Sequence, residues 1–536
     1  MTVASQTEHA SWRSSLPALF AVLLLTASII LLWGHFKPLD QDEIFVLQTD
    51  SVRSIAELVQ VQRHFPISLD PLFYHLLGHA SVSVLGATAF AIRLPSLLGY
   101  LLMQVCISAV AGRLAGRHAA VIAALVPALT ATLFYAVEAR PYGLLLGLSA
   151  LLLLAWQRSV RNVSQPRTGA LLTLAAALAL ALNTHYFAVL LLMPLYAAEL
   201  YRTAERSRAV RRLNIDWPVV VAVAVGSAGI VFALPFQKAA GEFRKHYYNA
   251  GGVGLHAVTQ SYRALFVNYT NYSIAVQHLL GAVLVALSLL LLCALWRHFR
   301  EHDRALPAER VFLVVLAAMP FFGFLLARFV THSIEVRYVL PAMVSIAVLI
   351  AIALAPLYRS RRVYGAIVAV LLVAVAAAGS TRVHEESVKR NAFLASLSPN
   401  QPLPGAPDTR IYVQNLGYFD EVTPYLPKGL RSRMVLLYSR DEELHWLNHD
   451  TGALTATHMQ HFTTVPTMRY EDLRQQPGEH LVLLHPDGWE WLGRALQADG
   501  ASITPLAAAL RGDLEAVSFR SRPMGVSAAR TRVPGR

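Results

Sequence analysis

The chain has 536 residues, of which 55% are hydrophobic and only 15% are charged, and its mean hydropathy is +0.45. A soluble globular protein carries roughly 25% charged residues, so the composition excludes an ordinary water-soluble domain and indicates a polytopic membrane protein. Basic loops that orient membrane helices account for the net charge of +13. Because the sequence has no basic face interleaved with aromatic residues, we expect no nucleic-acid partner.

The first apolar stretch, residues 16–33, is longer than the hydrophobic region of a signal peptide, and no clear cleavage site follows it. We interpret it as an uncleaved first membrane span. Cys106 and Cys293 both fall in apolar stretches, and their number excludes a disulfide framework. Ten further apolar stretches predict about eleven transmembrane helices in total; they are 85–112, 118–135, 142–157, 169–183, 186–201, 217–235, 276–296, 311–329, 338–357 and 363–379.

Arg and Lys are concentrated in every second connection between these stretches, beginning with Arg13 ahead of the first. Basic residues in short loops mark the cytoplasmic side of a membrane, so we expect the N terminus in the cytoplasm. The alternate loops, including the long segments 37–84 and 236–275, are then expected on the outer side. We assign residues 1–380 to the transmembrane domain.

The character of the chain changes after residue 380. The Pro-rich segment LSPNQPLPGAPD predicts a linker over 381–407. Short β-type runs (RIYVQ, RMVLLYS and EHLVLLHP) then alternate with helix-like or turn segments, which predicts a small extracytoplasmic α/β domain over 408–520. We expect the tail, 521–536, to be disordered.

Two stretches of the first outer loop concentrate polar residues. LDQDEIFVLQTD places Asp40, Asp42 and Glu43 directly after the first span. DPLFYHLLGH supplies Asp70, Tyr74, His75 and His79. The two histidines are four residues apart and would share a helix face; the spacing suits zinc only if a third ligand is present, and an interfacial amphipathic helix is the alternative.

The other outer segments add cations and aromatic residues. YAVEARPYG contains Glu138 and Arg140, NTHYF contains His185, EVRYVLPA contains Arg337 and Tyr338, and EFRKHYYNAGGVG contains Arg244 and Lys245. Interfacial anchoring is the alternative to substrate binding for the arginines and Tyr338. Arg93, in FAIRLPSLLG, falls inside the second span, where an ionisable side chain is a candidate for function.

Carboxylates and arginines at one face suit one kind of chemistry. A hydroxyl nucleophile needs a general base, and a carboxylate can serve. Arginines stabilise a departing phosphate through bidentate contacts. A donor anchored by a lipid chain would use the membrane as its binding surface. One base and direct displacement would invert the anomeric centre of a transferred sugar.

These segments resemble, in order along residues 16–380, those of GT-C class membrane glycosyltransferases. The chain is similar to the family-39-like branch of protein mannosyltransferases and lipid A aminoarabinose transferases. The motifs that carry the resemblance are DE after the first span, DPLFYHLLGH, IRLPSLLG, ARPYGLLL, THYFAVLLL and RYVLPA. The resemblance implies transfer of a sugar from a polyprenyl-phosphate donor to a lipid, glycan or protein acceptor at the outer face of the bacterial inner membrane.

The resemblance also implies roles for individual residues. Asp42 is the expected catalytic base with Glu43 beside it, and Asp40 is a competing carboxylate. The donor phosphate is expected at Arg337, Arg140, Arg244 and Lys245. Substrate binding is expected at Asp70, Tyr74, Glu138, His185, Tyr338 and Arg93. No cofactor is implied, and a divalent metal is left open.

Two other functions share some of these features. A transporter or flippase of a polyprenyl-linked lipid would also need a helical bundle and outer cations, but not a base outside the membrane; no inverted repeat is evident in the sequence. A glycan ligase or polymerase would be expected to gather its polar residues in a later outer loop. The sequence names neither the sugar nor the acceptor.

Overall fold

The computed structural model describes residues 16–161, 166–246, 254–267, 292–293, 296–297, 300, 307–332, 334–397, 403–406, 408–484 and 490–519. The chain divides into two compact units, Met1–Lys245 with Asn249–Arg390, and His246–Tyr248 with Asn391–Arg536. The predicted span 276–296, apart from residues 292, 293 and 296, and the predicted tail 521–536 lie outside the described residues.

The first unit is helical throughout its described residues. Its α-helices are α1 Leu16–Phe36, α2 Gln41–Asp50, α3 Ile55–His64, α4 Leu72–Leu85, α5 Ala89–Ala115, α6 Arg117–Ala128, α7 Tyr142–Arg161, α8 Thr168–Leu182, α9 Leu192–Val210, α10 Trp217–Ala228, α11 Ile230–Arg244, α12 His256–Phe266, α13 Pro307–Ala317, α14 Met319–Leu326, α15 Ala342–Ala353 and α16 Arg361–Ser396. Short 3₁₀ turns occupy Ala131–Ala136, Tyr186–Leu191, Val336–Val339 and Ala355–Arg359.

Many of these helices are membrane spans by length and composition. Within the described residues, six helical segments are long and apolar enough to cross a membrane, and the pair Pro307–Ala317 and Met319–Thr331, bent by 52°, adds a seventh. Three predicted stretches form shorter apolar helices, α6, α8 and α15. The first outer loop is not extended chain, because α2, α3 and α4 lie within it.

Small residues bring α5 and α7 into close contact. A Cβ atom added to Gly99 would lie 2.3 Å from the Cα of Leu144, and one added to Gly147 would lie 2.3 Å from the carbonyl oxygen of Gly99. Helices in a lipid environment associate through this kind of tight backbone packing. The contact fixes the start of α7, and the Ser96 hydroxyl on α5 donates a hydrogen bond to the carbonyl of Arg140 just before it.

A buried ionic network joins α7 and α9 to the residues that precede α8 and α10. Arg202 donates to Glu199 at 2.7 Å and to Asp216 at 2.9 Å. Arg167 also donates to Asp216, and the indole of Trp156 donates to Glu199 at 2.6 Å. Because basic side chains here have buried acidic partners, part of the charge that the sequence places in these connections stabilises the bundle.

The second unit is built on a six-stranded sheet in the order β3-β2-β1-β4-β6-β5. The first four strands in this order are parallel, and β6 is antiparallel to both β4 and β5. The strands are β1 Ile411–Val413, β2 Met434–Tyr438, β3 Thr467–Arg469, β4 Glu479–Leu484, β5 Ser502–Ala509 and β6 Gly512–Ser518. The helices are α17 Leu416–Val422, α18 Lys428–Arg431, α19 Arg440–Leu447, α20 Thr451–Met459, α21 Tyr470–Leu473 and α22 Leu492–Ala498. Buried side chains pack against both faces of the sheet, as in other doubly wound α/β folds.

The expected linker over 381–407 begins too early. Helix α16 continues to Ser396, because the segment TRVHEESVKRNAFLAS contains neither Gly nor Pro and is rich in helix-forming residues. The Pro-rich part of the segment starts only after this helix ends. Pro399 therefore follows a completed helix, as the missing N–H of proline would require.

The packing of α5 against α7 predicts that Gly147 tolerates no side chain. Gly147→Ala places a methyl group against the Gly99 carbonyl, and because backbone must move, we expect a loss of about 1–3 kcal/mol in unfolding free energy. Thermal unfolding in detergent measures this. Gly169→Ala, where nothing lies within 4 Å of the added methyl, is the matched control. Equal melting temperatures for the two variants would contradict the close approach.

Candidate active site

The carboxylate of Glu43 is fully buried at the loop-rich end of the bundle, the end where α1 and the 137–141 turn meet. It accepts hydrogen bonds from Arg93 Nε at 2.7 Å, from Arg93 Nη2 at 2.6 Å and from Lys37 Nζ at 2.6 Å. The backbone N–H of Ala139 donates to it at 2.8 Å. Burial opposes the charged form, but Arg93 and Lys37 outweigh it and lower the pKa of Glu43 to about 2. Glu43 is therefore an ionised buried group with a full set of partners.

Arg93 has no donor to spare. Besides its two bonds to Glu43, Nη1 donates to the carbonyls of Gly34 at 2.6 Å and Lys37 at 3.1 Å, and Nη2 donates to the carbonyl of Pro38 at 3.1 Å. A guanidinium has five N–H groups, and each is accounted for. Arg93 thus holds the end of α1 and the start of the outer loop against α5.

Asp40 caps the next helix. Its Oδ1 accepts from the N–H of Glu43 at 3.0 Å, while the Glu43 side chain accepts from the N–H of Asp40 at 3.3 Å. This reciprocal capping box begins α2. The second oxygen of Asp40 pairs with Lys37 at 2.8 Å.

Asp42 differs from both acidic neighbours. Its side chain is 49% exposed and forms an ion pair with Arg140 Nη1 at 2.5 Å. Arg140 also pairs with the buried Asp70 at 3.3 Å through Nε, and its guanidinium lies 5.7 Å from the ring centre of Tyr142. The arginine is largely buried between two carboxylates, of which only that of Asp42 faces solvent to this extent.

Glu138 lies close to both groups of charges. Its Oε2 atom is buried without a hydrogen-bond partner among the described residues. Burial raises the pKa of Glu138 to about 8, with Lys37 and Arg140 opposing the shift and Asp40 and Glu43 adding to it. At neutral pH this carboxyl is mostly protonated and can donate a hydrogen bond.

Aromatic side chains line the site beside Arg140. The ring of His185 lies 5.5 Å from Tyr142 and 5.4 Å from Tyr338, and Phe187 stacks on Tyr338 at 4.3 Å. Burial lowers the pKa of His185 to about 4, so the ring is neutral at physiological pH. Since the N–H of Phe187 donates to its Nδ1 at 3.2 Å, the proton of the neutral ring belongs on Nε2.

Arg337, in the 3₁₀ turn Val336–Val339, also belongs to this cluster. Its guanidinium lies 5.9 Å from the ring centre of Tyr338. Asp42, Arg140 and Tyr142 are within electrostatic range of it. Asp42 therefore pairs with Arg140 and has Arg337 within electrostatic range.

The two histidines of the HxxxH pair, His75 and His79, both hydrogen-bond to Asp50. His75 Nδ1 hydrogen-bonds to Asp50 Oδ1 at 2.7 Å, and His79 Nδ1 donates to the Asp50 carbonyl at 2.9 Å. The other carboxylate oxygen of Asp50 lies in the notch left by Gly78, where an added Cβ would be 1.8 Å away. These contacts lock α2 onto α4. Across the described residues, no group of three His, Cys, Asp or Glu side chains is arranged to hold a metal ion.

Three comparisons with known proteins bear on this architecture. Residues 70–233 match the family described as dolichyl-phosphate-mannose-protein mannosyltransferase. The structure is similar to that of apo ArnT from Cupriavidus metallidurans, with a TM-score of 0.56 and 16% identity over 93% of this chain and 98% of that one. The chain therefore shares the overall fold of this ArnT structure. ArnT bound to undecaprenyl phosphate matches with a TM-score of 0.57 and 16% identity over 92% and 97% of the two chains. A comparison with curated protein sequences gives no match.

The resemblance expected from the sequence is thereby confirmed, and the fold gathers many of the expected site residues. Together at the loop-rich end lie Asp42, Glu43, Asp70, Arg93, Glu138, Arg140, His185, Arg337 and Tyr338. Tyr74 is fully buried and donates its hydroxyl to the Ile92 carbonyl at 3.2 Å. Lys245 pairs with Glu242 at 2.6 Å on an exposed helix end, and the side chain of Arg244 lies outside the described part of the chain.

Three residues of the site were not expected from the sequence. Lys37 counted only as a loop charge, although its spacing of three and six residues from Asp40 and Glu43 could have indicated the contact. Tyr142 and Phe187 resembled ordinary span residues. Only the fold brings their rings to His185.

The pKa of Glu138 predicts a pH-dependent stability. The folded-state pKa lies above the ordinary 4.5, so the contribution is complete below pH 4.5 and is lost as pH rises through 8. Glu138→Gln stays neutral. The unfolding free energy of this variant should therefore rise relative to that of the wild type between pH 4.5 and 8, by up to about 1.4 kcal/mol per pH unit, and the difference should stay constant above pH 8.

Thermal unfolding in detergent at several pH values from 4.5 to 8 checks this prediction. Glu385→Gln, on the exposed side of α16, is the control and should show no such trend. A constant difference between Glu138→Gln and the wild type across the range would refute the raised pKa.

The Glu43 network predicts that Arg93 cannot be replaced by lysine. Arg93→Lys keeps the charge but loses the planar guanidinium with its five N–H donors. Because buried acceptors are then left without donors, we expect the unfolding free energy to fall by about 3 kcal/mol. Chemical or thermal unfolding in detergent measures it. Arg53→Lys, an exposed position at the same end, should change stability little. If Arg93→Lys behaves like this control, the network contributes nothing to folding.

Proposed function

We propose that this protein transfers a sugar from a polyprenyl-phosphate donor to a lipid, glycan or protein acceptor at the outer face of the bacterial inner membrane. The observation that carries the proposal is the difference between the contacts of three neighbouring acidic side chains. Glu43 is buried in structural contacts and Asp40 caps α2 and pairs with Lys37, whereas the half-exposed Asp42 pairs with Arg140 and has Arg337 within electrostatic range.

Asp42 is the catalytic base in this proposal. The hydroxyl oxygen of the acceptor attacks the anomeric carbon on the face opposite the phosphate, and its proton passes to the Asp42 carboxylate. The bond between the anomeric carbon and the phosphate oxygen breaks, and its electron pair leaves with the phosphate. One displacement inverts the anomeric centre. Glu43 then acts by positioning, since its oxygens already accept four strong hydrogen bonds.

The departing phosphate needs positive charge in a site with little water. Arg140 and Arg337 are the side chains best disposed to supply it. Arg140 pairs with Asp42 in the absence of substrate, so donor binding would draw the arginine toward the phosphate and release the base. Lys245 and Arg244 lie further along the chain and would join only if their segment closes over the donor.

The aromatic cluster suits the sugar. Tyr142, His185 and Tyr338 offer flat faces for a sugar ring, and His185 Nε2–H can donate to a sugar hydroxyl. Glu138, mostly protonated, can donate as well. Asp70 orients Arg140, while Tyr74 and Arg93 act through the packing of α4 and α5.

The multiple apolar helices make this a multi-pass membrane protein. We propose that the N terminus is cytoplasmic and that the sheet-containing unit is on the outer side, as the loop charges indicate. A base and two arginines at the loop-rich end would then meet a lipid-borne donor where nucleotide sugars are absent.

The proposal predicts that Asp42→Asn loses at least about 100-fold in transfer rate, since a general base contributes 10²–10⁴-fold. The measurement is transfer of a labelled sugar from polyprenyl phosphate in vesicles that carry purified wild type, Asp42→Asn or Asp40→Asn at equal folded amounts. Because Asn caps a helix as well as Asp does, we expect Asp40→Asn to weaken only the pairing with Lys37 and to retain most of its rate per folded molecule.

Each other outcome changes the assignment. Loss of rate only in Asp40→Asn would keep the reaction and move the base by two residues. If no sugar leaves a broad panel of donors while labelled lipid crosses the bilayer, the protein is a flippase and the transferase proposal fails.

A further inference from the structure

A cavity of about 390 Å³ lies between α1 and α5 at the loop-rich end of the bundle. Gly34 and His35 close one end, near the last turn of α1, and Thr88 starts the opposite wall. The deeper lining is apolar and consists of Ile30, Leu31, Ala89, Phe90, Leu94, Leu97, Ala136 and Val137. From residue 88 to residue 97 the wall extends about 14 Å at 1.5 Å per residue. The cavity is thus an elongated groove, which we name the α1/α5 groove.

The groove borders the lipid-facing surface. Leu31 and Phe90, one on each wall, are 45% and 48% exposed. Both lie on helices long and apolar enough to span a membrane, and only 33% of the apolar window of α1 is buried inside the protein. Apolar walls do not hold ordered water. Gly34, His35, Thr88 and Arg93 supply polar surface, and hydrocarbon is the medium that suits the remaining, apolar part of the groove.

The same lining argues against the phosphate of a donor lipid. Arg93 contributes to the wall, but its five N–H groups serve Glu43 and three backbone carbonyls. Thr88 is also engaged, because its hydroxyl accepts from the N–H of Ala91 at 3.2 Å. The arginines proposed for the donor, Arg140 and Arg337, contact Asp42 and Tyr338 and do not line the groove. An apolar chain fits here better than an anion.

We propose that the α1/α5 groove binds a linear fatty-acyl chain of a membrane lipid, at a site separate from that of the polyprenyl donor. The chain enters between Leu31 and Phe90, and the lipid's polar end lies toward His35. Bound there, it packs on the wall that Arg93 forms and leaves no void beside the Glu43 network. This site does not depend on the proposed transfer reaction.

Photolabelling tests the site without any activity assay. The probe is phosphatidylglycerol with a diazirine on one acyl chain, added to full-length protein in phosphatidylethanolamine and phosphatidylglycerol vesicles. Peptide mapping should place label on the groove faces of α1 and α5. Ala89→Trp fills the groove from one wall, and we expect the label there to fall roughly threefold or more because a packed site excludes the chain.

Matched controls separate a defined site from general lipid contact. Leu98→Trp lies on α5 at a position that is 55% exposed and does not line the groove, so labelling of the groove should persist. If Ala89→Trp does not fold, Leu31→Trp on the opposite wall replaces it, with the 57% exposed Leu24→Trp as its control. Equal labelling in filled and control variants would overturn the proposal. Displacement of the label by excess undecaprenyl phosphate would also overturn it and assign the groove to the donor chain.

Discussion

The buried carboxylate of Glu43 is the constraint on which the rest of this structure depends. A charged group in a dry site is costly unless it is paired and hydrogen-bonded, and Glu43 has Arg93, Lys37 and the N–H of Ala139. These partners come from the residue after α1, from α5 and from the turn before α7. One side chain therefore ties together segments that are up to 96 positions apart, and any rearrangement of them would leave a charge unpaired.

This constraint explains why three adjacent acids can have three fates. Asp40 is the N-cap of α2, and Glu43 is the third residue of its first turn, so the two form a capping box. Successive helical residues are about 100° apart. With Glu43 directed into the protein, Asp42 is directed elsewhere, toward Arg140 and solvent. Burial of one carboxylate thus leaves its neighbour available for chemistry.

The sequence was sufficient for the features that depend on local pattern. Runs of apolar residues predicted the helices of the bundle, and the motif order predicted the family resemblance that residues 70–233 bear out. The sequence could not predict that Glu43 is buried while Asp42 is half exposed, because this difference depends on Arg93, which is 50 positions away from Glu43. The HxxxH spacing likewise left zinc open, because it could not identify the partner of His75 and His79, which is Asp50 on another helix. The prolines after Ser396 led to a linker prediction that began too early and missed the last part of this helix.

The ion pair of Arg93 and Glu43 also borders two environments that the proposed transfer from a lipid-borne donor would keep apart. On one side of Arg93 and Glu43 lie Asp42, Arg140 and the aromatic rings, where charges must respond to substrate. On the other side lies the α1/α5 groove, lined by Leu31, Phe90 and Leu94. A hydrophobic wall would exclude water equally well, but it could not anchor the backbone carbonyls of residues 34, 37 and 38. An arginine with every donor engaged does both, since it fixes the loop that carries Asp42 and also lines the groove.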